Sequence, residues 1–594
     1  MLDGMSMTRT GASHNGLRIS FLRVSFRCLA IVLGAANAWV TRFSMNPDGI
    51  SYLDIGDAYW RGDWHAAVNA YWSPFYSWIL GLFLKVLKPS PYWEYPVVHL
   101  ANFVIYVGAL ASFEFFLGNF IKNSRAQEKG PNDAGAVALP EWAWWSLGYS
   151  LFIWTSLVLI SLATVTPDIC VAGFVYLAAG LILRIRSGSA SQRDFALLGI
   201  VLGFAHLAKA AMFPLAFVFL AMAGLSMHSP RKAAPRVLLS AIVFLLVTAP
   251  FTAAISRATG HLTIGDSGRL NYAGYVDGVD FWFPGDSGRL NPVGEGVGEK
   301  VDEIEFPDAR LLWHPVKRIF DRPAAYQFEG HVEGTYPFWY DPSYWQEGIK
   351  PHFDLRGQAR AVSRALKLYC LLCLNPWLQL NVFAGVCFLY LLAPKPSVCV
   401  RRAAANWPLL LPALAGLILY ALVFVLYRYV ASFVVIVWVA AFSGVWIPSC
   451  KWSKRLIAAV SISIVATTVA SAAWHVDKDP RRIEPVYWEA AMALKESGIR
   501  AGDKVAVIAE EPIGGDLPFV ARLARTQIVA QVNRPDRFFA TLPPTQVQVI
   551  EAIARSGAKA ILSTADPPRS PSGLQWEALG PTDYYVCLLE KGRQ

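Results

Sequence analysis

Apolar residues fall in long unbroken blocks along this chain, without the strict alternation of a half-buried strand or the single stripe of a surface helix. Blocks near the twenty-residue length of a bilayer-crossing helix occupy 21–41, 96–120, 142–161, 168–185, 195–209, 210–226, 236–255, 370–393, 407–427, 429–447 and 456–473. The pattern predicts a polytopic α-helical membrane protein of about eleven spans. A shorter apolar run at 75–87 reads as a re-entrant or interfacial helix.

Basic residues collect in alternate connections: Arg18, Arg23 and Arg27; Lys122, Arg125 and Lys129; Arg184, Arg186 and Arg193; Arg231, Lys232 and Arg236; Lys395, Arg401 and Arg402; Lys451, Lys454 and Arg455. Short basic connections stay in the cytoplasm. The expected organisation is therefore a cytoplasmic tail (1–20), a first helical module (21–256) with an outer loop at 42–95, a large outer loop (257–365), further spans (366–473) and an outer C-terminal region (474–594). In that last region the pattern shortens and alternates. Helices are predicted over 486–497, 517–523 and 545–556, and strands over 504–509, 527–531, 559–563 and 584–590, which together make a small α/β domain.

Composition agrees, with 55% hydrophobic and 16% charged residues. The net charge of +10 does not mark a nucleic-acid binder, because the basic residues lie between apolar blocks and not on a soluble face. The eight cysteines sit almost all in or beside apolar runs and form neither a disulfide framework nor a zinc pattern.

Ionisable residues at membrane depth are costly unless paired or set in a cavity. His99, Asp168, Lys209 and Arg428 all fall at the outer ends of their blocks, on the face that also carries Asp48, Asp54, Asp57 and Asp63, while Glu114 lies near the inner end of its own. An outward-facing polar cavity follows. Cations there suit a phosphate, whose growing charge they stabilise as it leaves, and a facing carboxylate suits removal of a proton from an attacking hydroxyl. Asn46 reads as the cap of a helix with Pro47 at its first position, which puts Asp48 in the first turn and Tyr52 one turn on along the same face. Asp54 and Asp57, three apart, read as the solvated face of that helix. The heptapeptide GDSGRLN occurs twice, at 265–271 and 285–291, and offers two acid–base pairs to a substrate, Asp266 with Arg269 and Asp286 with Arg289, or else two turns from a local duplication.

Six short motifs share an order with one known family. The segments NPDGISY at 46–52, GDW at 62–64, YWSPFYSW at 71–78, TPD at 166–168, AHLAKA at 205–210 and YRY at 427–429 resemble, in sequence order, elements of the GT-C glycosyltransferases, in the branch of the protein O-mannosyltransferases and the lipid A aminoarabinose transferase. The resemblance implies a polyprenyl-phosphate sugar donor, transfer on the extracytoplasmic side of a bacterial inner membrane, inversion at the anomeric carbon, and a glycan, lipid or protein acceptor. It implies that Asp48 is the general base, that Asp168 and Tyr52 support it, and that Lys209 and Arg428 hold the donor phosphate. Two positions depart from the family pattern: Gly49 stands where an acidic residue usually follows the Asp, and Ser73-Pro74 replaces a basic residue and a double proline. No organic cofactor is implied and no spacing marks a metal site, though a divalent cation stays compatible with the site. The competing readings are a transporter or flippase of lipid-linked sugars and a non-catalytic envelope assembly protein.

Overall fold

The computed structural model describes residues 4–127, 136–227, 229–279, 282, 314, 316–330, 333–374, 379–477, 484–509, 514–567 and 575–589. All eleven apolar blocks contribute helix. Among the described residues, however, six helices are long and apolar enough to cross a membrane: Leu17–Val40, Pro91–Ala126, Glu141–Ile160, Asp168–Arg186, Pro230–Thr259 and Lys451–His475. Two bent pairs raise the number to eight if each is one span: Leu355–Leu374 with Gln379–Leu391, bent by 74°, and Pro396–Ala404 with Trp407–Ala421, bent by 78°. This corrects the expected eleven. The remaining three blocks fold as Gln192–Ala208, Met212–Leu225 and Tyr427–Ser443, of 17, 14 and 17 residues. At the helical rise they are roughly 21–26 Å long, short of the ~30 Å hydrocarbon layer. Their apolar residues pack against other helices: Phe195, Phe219, Phe433 and Val435 are all buried. Hydropathy counts apolar residues without regard to what covers them.

The first outer loop is helical. Pro47–Arg61 crosses Pro74–Leu87 where Gly56 meets Gly81; a Cβ on Gly56 would lie 2.6 Å from the Ser77 carbonyl oxygen, so only glycine permits this approach. A π-helical turn, Thr155–Ile160, ends the third span just before the segment leading to Asp168.

The C-terminal region folds as expected, with helices Val486–Glu496, Leu517–Ala524 and Pro543–Arg555 around strands Lys504–Ala509, Gln527–Asn533, Ala560–Ser563 and Tyr585–Leu588. Lys504–Ala509 lies parallel to both Gln527–Asn533 and Ala560–Ser563, and Tyr585–Leu588 closes antiparallel on Ala560–Ser563. The parallel strands are nearly continuously buried, as strands covered on both faces must be. Three strands of this sheet lay outside the sequence expectation. Trp576–Ala578 adds one edge, and Lys317–Phe320 with Ala325–Gln327, both from the large outer loop, extend the other through antiparallel pairing of Ala325–Gln327 with Gln527–Asn533. The loop and the C-terminal domain therefore share one sheet.

Candidate active site

Three chain segments converge beside the start of Pro47–Arg61. Asn46 occupies the cap position and Pro47 the first turn, but the Asn46 side chain does not cap the helix. Its Oδ1 accepts from the backbone N–H of Val165 at 2.7 Å instead. Ser44 Oγ donates to the Ala163 carbonyl at 3.0 Å, and the buried His99 ring lies 2.9 Å from both the Leu162 and the Ser44 carbonyl oxygens. Together these bonds tie the segment before Asp48 to the segment before Asp168. They also explain Gly49: a Cβ there would lie 2.9 Å from the Val165 side chain and 2.7 Å from Met45 Sδ, so the second acidic residue of the family pattern has no room.

Asp168 opens its helix, Lys209 terminates Gln192–Ala208 in extended backbone, and Arg428 lies in the first turn of Tyr427–Ser443. Lys209 Nζ donates to Asp168 Oδ1 at 2.6 Å, and Thr166 Oγ1 donates to Asp168 Oδ2 at 3.1 Å. Arg428 bridges the two carboxylates, with Nε 3.2 Å from Asp168 Oδ2 and a terminal nitrogen 3.5 Å from Asp48 Oδ2. The Nε contact is an ion pair without hydrogen-bond alignment. Lys209 Nζ also sits 3.4 Å from the centre of the Tyr429 ring, which holds the ammonium over its negative face.

Asp48, Tyr52, Asp168, Lys209 and Arg428 all line one cavity of about 470 Å³. Aromatic side chains supply much of the rest of its lining. Tyr52 packs edge-on against Trp72 and Tyr76 with ring centres 5.0 and 5.1 Å away. Burial pushes the Asp48 carboxyl pKa above its usual value, and the Arg428 guanidinium pulls against that without cancelling it. The site thus contains a carboxylate of raised basicity beside two fixed cations, a combination able to accept a proton and to hold a phosphate.

The remaining sequence candidates fall elsewhere. Asp266 is buried and pairs with Arg269 at 2.9 Å, Thr263 Oγ1 donates to the same carboxylate at 2.9 Å, and Arg269 donates to the Ile349 carbonyl at 2.6 Å. In that heptapeptide it is Gly265, Ser267, Gly268 and Asn271 that line the cavity. Asp286 and Arg289 lie outside the described residues. Glu114 is paired with Arg23 and Arg27 and accepts from Tyr149 at 2.5 Å.

The expectation of a solvated face at Asp54 and Asp57 is corrected. Arg522, buried in the C-terminal domain, donates to Asp54 at 2.5 Å, Asp57 at 2.7 Å and Glu94 at 2.7 Å, while Arg525 reaches the other Glu94 oxygen at 2.5 Å. The Thr335 backbone N–H adds a bond to Asp54 at 2.7 Å. These carboxylates are covered because the C-terminal domain sits on this helix. Among the described residues no group of three or more His, Cys, Asp or Glu is arranged to hold a metal ion.

The fold and this cavity define a polytopic helical membrane protein with a charged chamber lined by its helices and by two of the loops between them. Compared with solved structures, the chain is similar to apo ArnT from Cupriavidus metallidurans, with a TM-score of 0.50, 12% identity, and coverage of 95% of this chain and 97% of that one. It also matches the apo oligosaccharyltransferase of Archaeoglobus fulgidus with a TM-score of 0.48 and 13% identity over 91% of this chain and 69% of that one. The similarity to ArnT shows a shared fold. No family model and no curated protein sequence matches the chain.

Proposed function

We propose that the chain is a membrane glycosyltransferase of the branch containing the protein O-mannosyltransferases and the lipid A aminoarabinose transferase, transferring a sugar from a polyprenyl phosphate to an acceptor hydroxyl. One observation carries this reading: Asp48, Lys209 and Arg428, distant in sequence, line a single cavity in which Arg428 reaches Asp48 and Lys209 reaches Asp168. In the proposed step the Asp48 carboxylate takes the acceptor's hydroxyl proton. The acceptor oxygen bonds to the anomeric carbon from the face opposite the phosphate, the bond from that carbon to the phosphate oxygen breaks, and the configuration inverts. The released polyprenyl phosphate keeps the bonding electron pair, and Lys209 and Arg428 stabilise its added charge. Asp168 holds both cations in place. The cavity opens to the extracytoplasmic side of a bacterial inner membrane, and the acceptor is a glycan, lipid or protein.

Purified protein in liposomes, supplied with radiolabelled polyprenyl-phosphate sugars and a mixture of acceptors, tests the class of activity. Transfer of label to a glycan, lipid or protein acceptor, with release of unlabelled polyprenyl phosphate, supports the reading. Movement of intact labelled lipid across the bilayer without bond cleavage would identify a flippase instead.

A further inference from the structure

The helix Leu355–Leu374 changes character along a single face. Gly357, Ala361, Ala365 and Leu372 are buried against the rest of the protein. On the opposite face the first half presents Arg356, Arg360 and Lys367, all exposed, and the second half presents Leu371 and Leu374, 60% and 62% exposed. Helical spacing keeps these five side chains within about 60° of one another around the axis. Among the described residues the ion pair on this face is that of Arg360 with Asp354, at 3.9 Å, and it leaves Arg356 and Lys367 uncompensated. Neighbouring elements set the depth of each half. Gln358 Nε2 donates at 2.7 Å to the Leu422 carbonyl, just past the apolar helix Trp407–Ala421, whereas Tyr369 Oη donates at 2.7 Å to the Leu417 carbonyl within it. The basic half therefore lies at the end of that helix and the apolar half alongside it. The chamber is adjacent: Arg364 donates to the Tyr275 carbonyl, and the Tyr275 ring, stacked on Phe424 with centres 3.8 Å apart, lines the chamber.

We propose that this face of Leu355–Leu374 docks a membrane lipid by its phosphate headgroup, beside the chamber and outside it, as the station from which a lipid-linked donor passes inward. The identity of that lipid rests on the glycosyltransferase reading above. The occupant is a lipid and not a soluble anion because the same face continues as exposed leucines, which are favourably placed only against hydrocarbon. Its headgroup is anionic because three cations share the face with one carboxylate, and each gains from a lipid phosphate at the membrane surface. Inside the chamber Asp48 and Asp168 offset Lys209 and Arg428, so the chamber itself exerts little pull on a distant anion. The uncompensated cations beside it supply that attraction.

The test is saturation binding of polyprenyl phosphate to the full-length protein in a neutral detergent, with polyprenol, inorganic phosphate and a short polyglutamate peptide as comparison probes. Two equivalents of polyprenyl phosphate should bind, one in the chamber and one at this face. Arg356→Gln, Arg360→Gln and Lys367→Gln combined should weaken the second equivalent at least about tenfold and leave the first unchanged. Lys209→Met should do the reverse. Should the triple variant not fold, Arg360→Glu, at a side chain 70% exposed, serves in its place. A second equivalent indifferent to these substitutions, or one filled equally by polyprenol or by inorganic phosphate, would overturn the proposal, and so would tighter binding of the peptide, which would mark a protein partner. If one equivalent binds and Lys209→Met abolishes it, the docking face is refuted and the chamber stands. If one equivalent binds and the triple variant abolishes it, the docking face stands and the glycosyltransferase reading fails; no binding at all refutes both.

Discussion

Asp48 meets two opposing demands. Burial raises its pKa, so the folded state favours its protonated form, whereas its proposed work as a base requires the ionised one. Transfer should therefore decline on the acid side around a pH above the usual carboxylate value of about 3.9, and be complete only above it. For stability the sign runs the other way: the contribution from a raised pKa is present below the unfolded value and is lost as pH rises through the folded one. Asp48→Asn should consequently unfold at a slightly higher temperature than the parent at neutral pH, by calorimetry in detergent. A clear fall in Tm would mean that the Arg428 contact outweighs burial. Lys209→Met should raise the apparent Kd for polyprenyl phosphate about tenfold, the scale of one charge-assisted contact, with little change in fold; unchanged affinity would remove Lys209 from phosphate binding. Gly49→Glu, although it restores the family's acidic residue, should reduce activity, because Val165 and Met45 fill the space its Cβ needs.

The helix Pro47–Arg61 is fixed at both ends. Asn46 anchors its start to Val165, and Arg522 grips Asp54 and Asp57 further along. Removing Arg522 leaves buried carboxylates uncompensated, so Arg522→Met should cost on the order of 3–5 kcal/mol in unfolding free energy, and Arg522→Lys much of the same because an ammonium cannot fork between three carboxylates. Denaturation curves that overlay the parent's would refute the clamp. These elements show what sequence can and cannot disclose. The start of this helix was legible from Asn-Pro-Asp, and the parallel strands from their short apolar runs, since both are written in adjacent residues. The Arg522 cluster joins residues 428 to 468 positions apart and has no local periodicity to betray it, so Asp54 and Asp57 looked like an ordinary polar face. The convergence of Asp168, Lys209 and Arg428 was legible as a shared depth, each lying at the outer end of its apolar block in the expected topology, and through the short motifs around them.

Across the whole molecule, the expected topology puts the basic connections on one side and the cavity, the large loop and the shared sheet on the other. Cys450 is exposed and directly precedes the basic Lys451 end of the last long helix. In a variant keeping Cys450 as its single cysteine, a membrane-impermeant thiol reagent should label it in inverted vesicles and not in intact cells. A cysteine placed at Ser497, in the C-terminal domain, should show the reverse, and labelling of both from one side would overturn the topology. The C-terminal domain holds the Asp48 helix through the contacts of Arg522 with Asp54 and Asp57.

The most direct trial of the account is the rate of sugar transfer by Asp48→Asn under saturating donor, measured beside the binding of polyprenyl phosphate to the same preparation. The account predicts a rate at least about a hundredfold below the parent's, the lower range for losing a general base, with lipid-phosphate binding retained. Transfer at the parental rate, in protein that still binds the lipid phosphate, would contradict it.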